Sequence, residues 1–449
     1  MSGIYKVLKR VFKYSIYQYF SEIKVMNKEL IPANKPIIFI PNHRSAFMDP
    51  IVVACLLPNE MNFLTRGESF QNPTLAKIFS RLNMIPIYRK DYSPDDVHKN
   101  DDVFKYCYEL LERKGSLMIF PEGLCQTKFL LAPLKTGTAR IALGAEKKNQ
   151  YELDLHIVPV GINYTHPHIF RSRLLLDIGD PFSIKALKED YESDPESTVR
   201  ALTSRMEAAL KSKIVTLHSS SDDQLIRQME QLYQADPDLS MDSWYEQRQF
   251  IAAGLNYFRD QKPDELNTFT NRLRNHLRKY AIVDPESAVG TDVRTQLAIK
   301  GNWWKLITLL ITLPVYLVGC LTHLVPFLLT KVIAYRVVKR SDFAGSVILA
   351  LGVLLFSIFL FGESLFIHRL FDNWLLTVAF VLIWPSLGLF TYIYGATARV
   401  FIRKLKIMTS SRLQIKKQSL QAERTQLISE LKLAIEEFKA TQNRTATSS

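Results

Sequence analysis

From Leu306 to Thr330 the chain reads LITLLITLPVYLVGCLTHLVPFLLT, and two more apolar runs follow, from Phe343 to Phe361 and from Trp374 to Tyr394. Each is near the roughly 20 residues a helix needs to cross the hydrocarbon layer of a bilayer. Three such runs, clustered and with few charges inside them, favour lipid over the core of a soluble domain. Their late position sets them apart from a signal peptide. The flanks KVIAYRVVKR (331–340) and RVFIRKLKIMTSSRLQIKK (399–417) are basic, whereas GESLFIHRLFDN (362–373) is close to neutral. The positive-inside rule makes the last two runs a hairpin with both basic flanks in the cytoplasm. If the large N-terminal region is cytoplasmic too, 306–330 must enter and leave on one side. Pro314, Gly319, Thr322, His323 and Pro326 suit a re-entrant or interfacial helical hairpin there, because a broken backbone is tolerated at membrane depth where neighbours satisfy it.

The N-terminus carries a second membrane signal. Ile4, Val7, Leu8, Val11, Phe12, Ile16 and Tyr19 recur at helical spacing, with Lys6, Lys9, Arg10 and Lys13 mostly on the other side. Residues 1–29 therefore read as a helix in an anionic interface, an ordinary amphipathic helix packed on its own domain being the alternative. The 57 Lys and Arg against 44 Asp and Glu favour acidic partners such as phosphates or anionic lipid heads. Nucleic acid is not indicated, since the basic runs beside the apolar segments already have a role there. Cys55, Cys107, Cys125 and Cys320 form neither a CxxC pair nor a His/Cys cluster, so no disulfide framework or zinc site is expected and a reducing, cytoplasmic setting fits.

Residues 30–185 alternate short apolar runs with helical patterns. The runs are PIIFI (36–40), MNFLT (61–65), MIPIY (84–88), SLMIF (116–120), HIVPVGINY (156–164) and RLLLDIG (173–179); helices are expected after Pro50 and over 73–82, 100–113 and 135–147. Such alternation implies an α/β domain, a mostly parallel sheet with flanking helices, with functional residues in the loops at strand ends. Beyond it, 186–300 reads as a helical region without a recognisable motif, 301–398 as the membrane region, and 399–449 as a basic, then helical tail. In that tail Leu413, Leu420, Leu427, Leu431 and Ile435 are spaced roughly by heptads, and a solvated polar helix is expected rather than a coiled coil.

The stretch IPNHRSAFMDPIV (40–52) places His43 just past a strand and Asp49 directly before Pro50. Asp followed by Pro is a helix N-terminus signal, so Asp49 has a purely structural explanation as an N-cap. Six residues of separation turn about 240° on a helix, so the two side chains meet only through a turn. FPEG (120–123) puts Glu122 and Gly123 at another strand exit, and IPIYR (85–89) puts Arg89 at a third.

Taken in order, PNHRSAFMD, NMIPIYR, FPEG and VPVGINY resemble the four motif blocks of the glycerolipid acyltransferases, the PlsC-like superfamily of glycerol-3-phosphate and 1-acylglycerol-3-phosphate acyltransferases. The run KTGTARIAL with FRSRLLLDIGDPFSI is most similar to the fungal glycerol-3-phosphate/dihydroxyacetone-phosphate branch, whose members also have membrane segments after the catalytic domain. There are departures. Five residues separate His43 from Asp49 where four are usual in the superfamily, Asn83 stands where Gly commonly opens the second block, and FPEG is followed by Leu124 and Cys125 rather than Ser/Thr and Arg.

The resemblance implies transfer of a fatty acyl group from a thioester, acyl-CoA or acyl-carrier protein, to a hydroxyl of a phosphorylated glycerol in phospholipid biosynthesis. His43 would be the base, Asp49 would orient it, Arg89 would bind the acceptor phosphate, Glu122 and Gly123 would position the glycerol, and Lys135 would be a further phosphate contact. No metal or other cofactor is expected. Another lysophospholipid as acceptor, or an inactive scaffold that binds lipid, are the alternatives.

Overall fold

The computed structural model describes residues 3–89, 94–233, 241–283, 303–338 and 343–447. The chain divides into two compact units, Met1–Thr216 with Arg340–Leu349, and Leu217–Lys339 with Ala350–Ser449.

The first unit is built on a sheet in the order β1 (Glu22–Met26), β7 (Arg173–Ile178), β6 (His156–Tyr164), β2 (Ile37–Pro41), β5 (Ser116–Met118), β3 (Met61–Arg66), β4 (Met84–Ile87), with β8 (Phe182–Ser183) pairing β6. The run from β6 through β2, β5 and β3 to β4 is parallel, while β7 and β8 lie antiparallel to β6. The helices that cover it are α1 (Gly3–Tyr19), α2 (Met48–Leu56), α3 (Pro73–Arg81), α4 (Asn100–Glu112), α5 (Gly137–Lys148), α6 (Lys188–Ser193) and α7 (Pro195–Lys211).

Strand β2 shows why a continuous apolar run was needed. Ile37 and Phe39 enter the core on one face, with α2 and the end of α1, while Ile38 and Ile40 enter the core on the other, with α4, α5 and α7. A strand whose successive side chains alternate faces must be apolar at every position when both faces are covered. The parallel strands send all their C-terminal ends to one edge of the sheet, where ligands of such folds bind.

Two expected boundaries move. Residues 22–26 do not belong to an N-terminal membrane segment ending at 29, because β1 pairs in parallel with β7 from Glu22↔Arg173 to Met26↔Asp177. Nor does the domain end at 185, since Val199, Leu202 and Met206 of α7 are buried in the core beside α5. Both extensions are too short or too polar to announce themselves, and become part of the domain only through the faces they cover. The unit also takes in the start of a later apolar helix: Gly345, Ser346 and Leu349 are buried, and Leu349 joins the core beside α2.

In the second unit, α8 (Asp223–Tyr233), α9 (Met241–Gln261) and α10 (Pro263–Val283) pack with the tail helix α14 (Ser411–Thr447). The tail is not the solvated helix expected. Leu420, Leu427, Leu431 and Phe438 are buried, and Arg272 makes two hydrogen bonds to Glu430, at 2.9 and 2.7 Å. The heptad-like stripe was real; its partner is within the same chain. Residues 284–302, the end of the region of unknown role, lie outside the described residues.

Among the described residues, three helices are long and apolar enough to cross a membrane: α11 (Trp303–Val337), α12 (Ala344–Phe371) and α13 (Trp374–Thr409). The expected re-entrant hairpin at 306–330 is absent, because α11 runs unbroken through Pro314 and Pro326. At 35 residues it is about 52 Å long. Each proline removes one backbone bond. Gly319 lies against Thr391 and Gly388 against His323, so α11 and α13 approach closely through small residues. Asn373 accepts the N–H groups of Leu375 and Leu376, capping α13 directly after α12.

Candidate active site

Strand β2 ends at Pro41, and Asn42 prolongs its pairing by side chain: the carboxamide oxygen takes the Ile162 N–H at 2.7 Å and its NH2 reaches the Ile162 carbonyl at 3.2 Å. This fixes the direction in which the next residues leave the sheet. The chain then turns tightly, Ala46 taking a φ of 21°, and enters α2 at Met48.

Asp49 is not the N-cap that its place before Pro50 suggested. It lies in the first turn of α2, and Phe47 is the capping position. Its side chain points back into the turn and is fully buried. Asp49 Oδ2 accepts His43 Nδ1 at 2.8 Å and the N–H groups of Arg44 and Ser45 at 2.7 Å each, while Oδ1 accepts the Tyr164 hydroxyl at 2.8 Å. The carboxylate thus replaces a helix cap with a grip on the turn and on the imidazole. With Nδ1 donating, Nε2 is the nitrogen left to act as a base. The ring stacks on Phe120 at 4.2 Å between centroids and keeps 18% of its side chain exposed.

Glu122 occupies the neighbouring strand exit, yet it faces inward. It is 2% exposed; Oε1 takes the His43 N–H at 2.8 Å, and Oε2 takes the Ala132 N–H at 3.0 Å and Gln126 Nε2 at 3.4 Å. The Gln126 N–H donates to the His43 carbonyl at 3.0 Å, so the backbone of His43 is clamped on both sides. Burial pushes the Glu122 carboxyl up from its ordinary range, and the backbone donors of Ala132 and His43 oppose that shift only in part. In this geometry both oxygens of Glu122, expected to position a glycerol, are engaged by the loop that carries His43.

Gly123 has a φ of +68°, a conformation glycine adopts without strain. Its carbonyl accepts from Arg89 Nη1, which reaches across from the end of β4, and a Cβ at Gly123 would come within 3.3 Å of that nitrogen and 3.6 Å of Lys135 Cγ. Lys135 is exposed and anchored by its N–H to the Pro121 carbonyl at 2.8 Å. Arg89, Gly123 and Lys135 therefore converge one residue away from Glu122, and through it beside His43.

Two contributors, Tyr164 and Ser346, were not singled out from the sequence. Tyr164 lay inside the quoted block VPVGINY without a role. Cys125 receives the Ala46 N–H at 3.0 Å, and Ser346, from the start of α12, receives the Met48 N–H at 2.9 Å. No spacing rule could pair Ser346 with a residue so distant in the chain. Among the described residues, donor atoms of His43, Asp49 and Cys125 lie within 4.8 Å of one another. The four hydrogen bonds to Asp49 already occupy both of its oxygens, which marks a hydrogen-bonded couple rather than a vacant ligand set.

The Acyltransferase family profile matches residues 22–163. Over 189 residues the chain is 32% identical to glycerol-3-phosphate O-acyltransferase 1 of Saccharomyces cerevisiae, covering 40% of this chain and 25% of that protein. Over 121 residues it is 27% identical to the 1-acyl-sn-glycerol-3-phosphate acyltransferase of Bacillus subtilis, covering 27% of this chain and 56% of that protein. The crystal structure of the 1-acyl-sn-glycerophosphate acyltransferase PlsC from Thermotoga maritima aligns at 19% identity with a TM-score of 0.32, over 46% of this chain and 80% of that one. The match spans about a quarter of the length of the yeast relative. The segment that holds His43, Arg89 and Glu122 is thus similar to the Acyltransferase family and to relatives named as glycerol-3-phosphate and 1-acylglycerol-3-phosphate acyltransferases.

Proposed function

We propose that this protein is a membrane-bound acyltransferase that moves a fatty acyl group from an acyl thioester to a hydroxyl of glycerol-3-phosphate or 1-acylglycerol-3-phosphate. The observation that carries the reading is the His43–Asp49 couple, 2.8 Å apart at the sheet edge where Arg89 and Gly123 also meet. The relatives matched over this domain bear the names of enzymes with such acceptors.

An alcohol is a weak nucleophile. His43 Nε2 takes the proton of the acceptor hydroxyl as its oxygen bonds to the thioester carbonyl carbon, and Asp49 steadies the imidazolium that forms. The tetrahedral intermediate collapses by breaking the carbon–sulfur bond, and the thiolate leaves with the proton returned by His43. Arg89, with Lys135 beside it, binds the acceptor phosphate, the planar guanidinium being suited to two parallel hydrogen bonds. Acyl-CoA or acyl-carrier protein serves as the donor substrate, and the scheme calls on no resident cofactor or metal.

Membrane lipid is the natural partner of such a reaction, since each methylene kept out of water saves about 0.8 kcal/mol. Helix α1 supports the reading with two faces. Tyr5, Ile16 and Tyr19 are buried in the domain, while Ile4, Val7, Val11 and Tyr14 stay exposed beside Lys6, Arg10 and Lys13. An apolar stripe next to a basic one suits an anionic bilayer surface, so packing on the domain and lying in the interface are compatible. The basic flanks of α12 and α13 favour a catalytic domain on the cytoplasmic face.

The test is acyl transfer by the detergent-solubilised protein, with labelled acyl-CoA and glycerol-3-phosphate, dihydroxyacetone phosphate, lysophosphatidate or another lysophospholipid in parallel, beside His43→Ala. Product from one of the phosphorylated glycerols, lost in the variant, is expected and names the acceptor. Transfer to a different lysophospholipid would move the acceptor class, and a folded protein inert with acyl-CoA and acyl-carrier protein alike would favour a lipid-binding scaffold.

A further inference from the structure

We infer that Tyr164 is a positioning residue of the His43–Asp49 couple, its phenol holding the one carboxylate oxygen that the imidazole does not use. The inference rests on the acyl-transfer reading for its kinetic consequence, but not for its chemical one.

Asp49 Oδ2 is crowded, taking His43 Nδ1 and two backbone N–H groups from the same turn. All three donors come from the short turn between β2 and α2. The Tyr164 hydroxyl approaches Oδ1 from the last residue of β6, 115 residues further along the chain. The carboxylate plane is therefore fixed at both ends, and it cannot swing about its Cβ–Cγ bond without losing a bond at one of them. Tyr164 itself has little freedom: it is 2% exposed, and its ring stacks on Phe20 at 5.8 Å between centroids. A phenylalanine would fill the same space, so packing alone gives no reason for a hydroxyl here. Burial, then the adjacent Asp49 carboxylate, pushes the phenol's own pKa well up, which keeps it a donor throughout the working pH range.

The phenol also sets the strength of the couple. A donor to a carboxylate draws off negative charge and makes it a weaker partner for an imidazolium. The other polar groups around the couple, Glu122 with its coulombic pull on His43 among them, are the same with and without the phenol. Glu122 is engaged by the His43 N–H, the Arg44 guanidinium donates to the Val215 carbonyl and lies over the Phe129 ring, and Cys125 receives the Ala46 N–H. Without the Tyr164 hydroxyl, the Asp49 carboxylate gains charge density, the protonated ring is stabilised, and His43 stays protonated to higher pH. Protonated, it is no base.

The experiment compares wild type, Tyr164→Phe, Asp49→Asn and the double variant as full-length protein. Two readouts are taken: the pH dependence of acyl transfer, and the pH dependence with which diethyl pyrocarbonate modifies His43, followed by mass spectrometry. In Tyr164→Phe, kcat should fall several-fold with the acceptor KM little changed. The acidic limb of the rate profile and the pH of half-maximal His43 modification should both move up by on the order of half a unit. In the Asp49→Asn background the same substitution should move neither, because the carboxylate it acts through is gone. An unchanged modification curve in folded Tyr164→Phe, or an equal shift in both backgrounds, overturns the inference. Absence of His43-dependent transfer in wild type would instead overturn the acyl-transfer reading, and the modification curves would still decide the role of Tyr164. Should Tyr164→Phe fail to fold, labelling the wild type with fluorinated tyrosine, whose phenol is a stronger donor, should shift the curve the opposite way; no shift then overturns the inference.

Discussion

Ser346 Oγ accepts the backbone N–H of Met48, 298 residues earlier in the chain, at 2.9 Å. Met48 opens the helix that bears Asp49, and its own capping position, Phe47, offers no side-chain acceptor. A residue from the start of an apolar helix thus supplies the cap that the catalytic helix lacks, and the Ser346 hydroxyl is also within 3.4 Å of the Ser45 carbonyl. Ser346→Ala should cost about 0.5–2 kcal/mol of stability, the usual loss on removing a cap. It should also lower kcat more than it raises either KM, because the turn between His43 and Asp49 loosens. Thermal unfolding and steady-state kinetics together check this; an unaltered kcat with unaltered melting would show that the contact is idle.

Asp49→Asn should reduce activity by on the order of 10³ to 10⁴. The amide cannot accept from His43, Arg44, Ser45 and Tyr164 together, since its NH2 must face at least one donor that the carboxylate satisfies. Melting temperature should fall as well, which distinguishes this variant from His43→Ala, where activity is lost with little change in stability.

Arg89 separates binding from chemistry. Arg89→Ala should raise the apparent KM for the phosphorylated acceptor by on the order of tenfold or more and leave the donor KM nearly constant. Arg89→Lys should recover only part of this, because an ammonium keeps the charge without the fork. Initial rates over a grid of both substrates give the answer, and an increase confined to the donor KM would reassign the residue.

Glu122 makes stability depend on pH in a definite direction. Its folded pKa is raised above the ordinary 4.5 by burial. Between that value and the raised one, the folded chain holds a proton that the unfolded chain has released. Stability from this group is therefore fully present below that window and lost as pH rises through it. Glu122→Gln should abolish that slope while loosening the clamp on His43, which melting curves collected from acid to neutral pH would reveal.

Thiol reagents should sort the cysteines of the first unit. Burial pushes the Cys55 and Cys107 thiols up to about 11 and about 12, so neither offers appreciable thiolate near neutrality. Cys125 is half-exposed and lies against the Ala46 N–H in the turn between His43 and Asp49. Maleimide followed by peptide mapping should find Cys125 modified first, with loss of activity that Cys125→Ser resists.

The sequence alone determined the elements and the class. Apolar runs of strand length alternating with helical patterns announce a sheet covered on both faces, and the four blocks lie at its strand exits, because local periodicity and turn chemistry act over a few residues and are written there. The three late apolar runs were likewise legible as membrane segments, but that 306–330 lies in one unbroken helix rather than a re-entrant hairpin was decided by the structure. What periodicity could not supply is any partner distant in the chain. Asp49 read locally is a helix cap, and only the fold around it turns its carboxylate onto His43. Glu122 read locally is a solvated or substrate-facing acid, and only the loop from Gln126 to Ala132 buries it. Tyr164 and Ser346 carry no local signal at all. They act because parallel strands bring all their ends to one edge, and because a buried donor or acceptor must find its partner wherever the fold provides one.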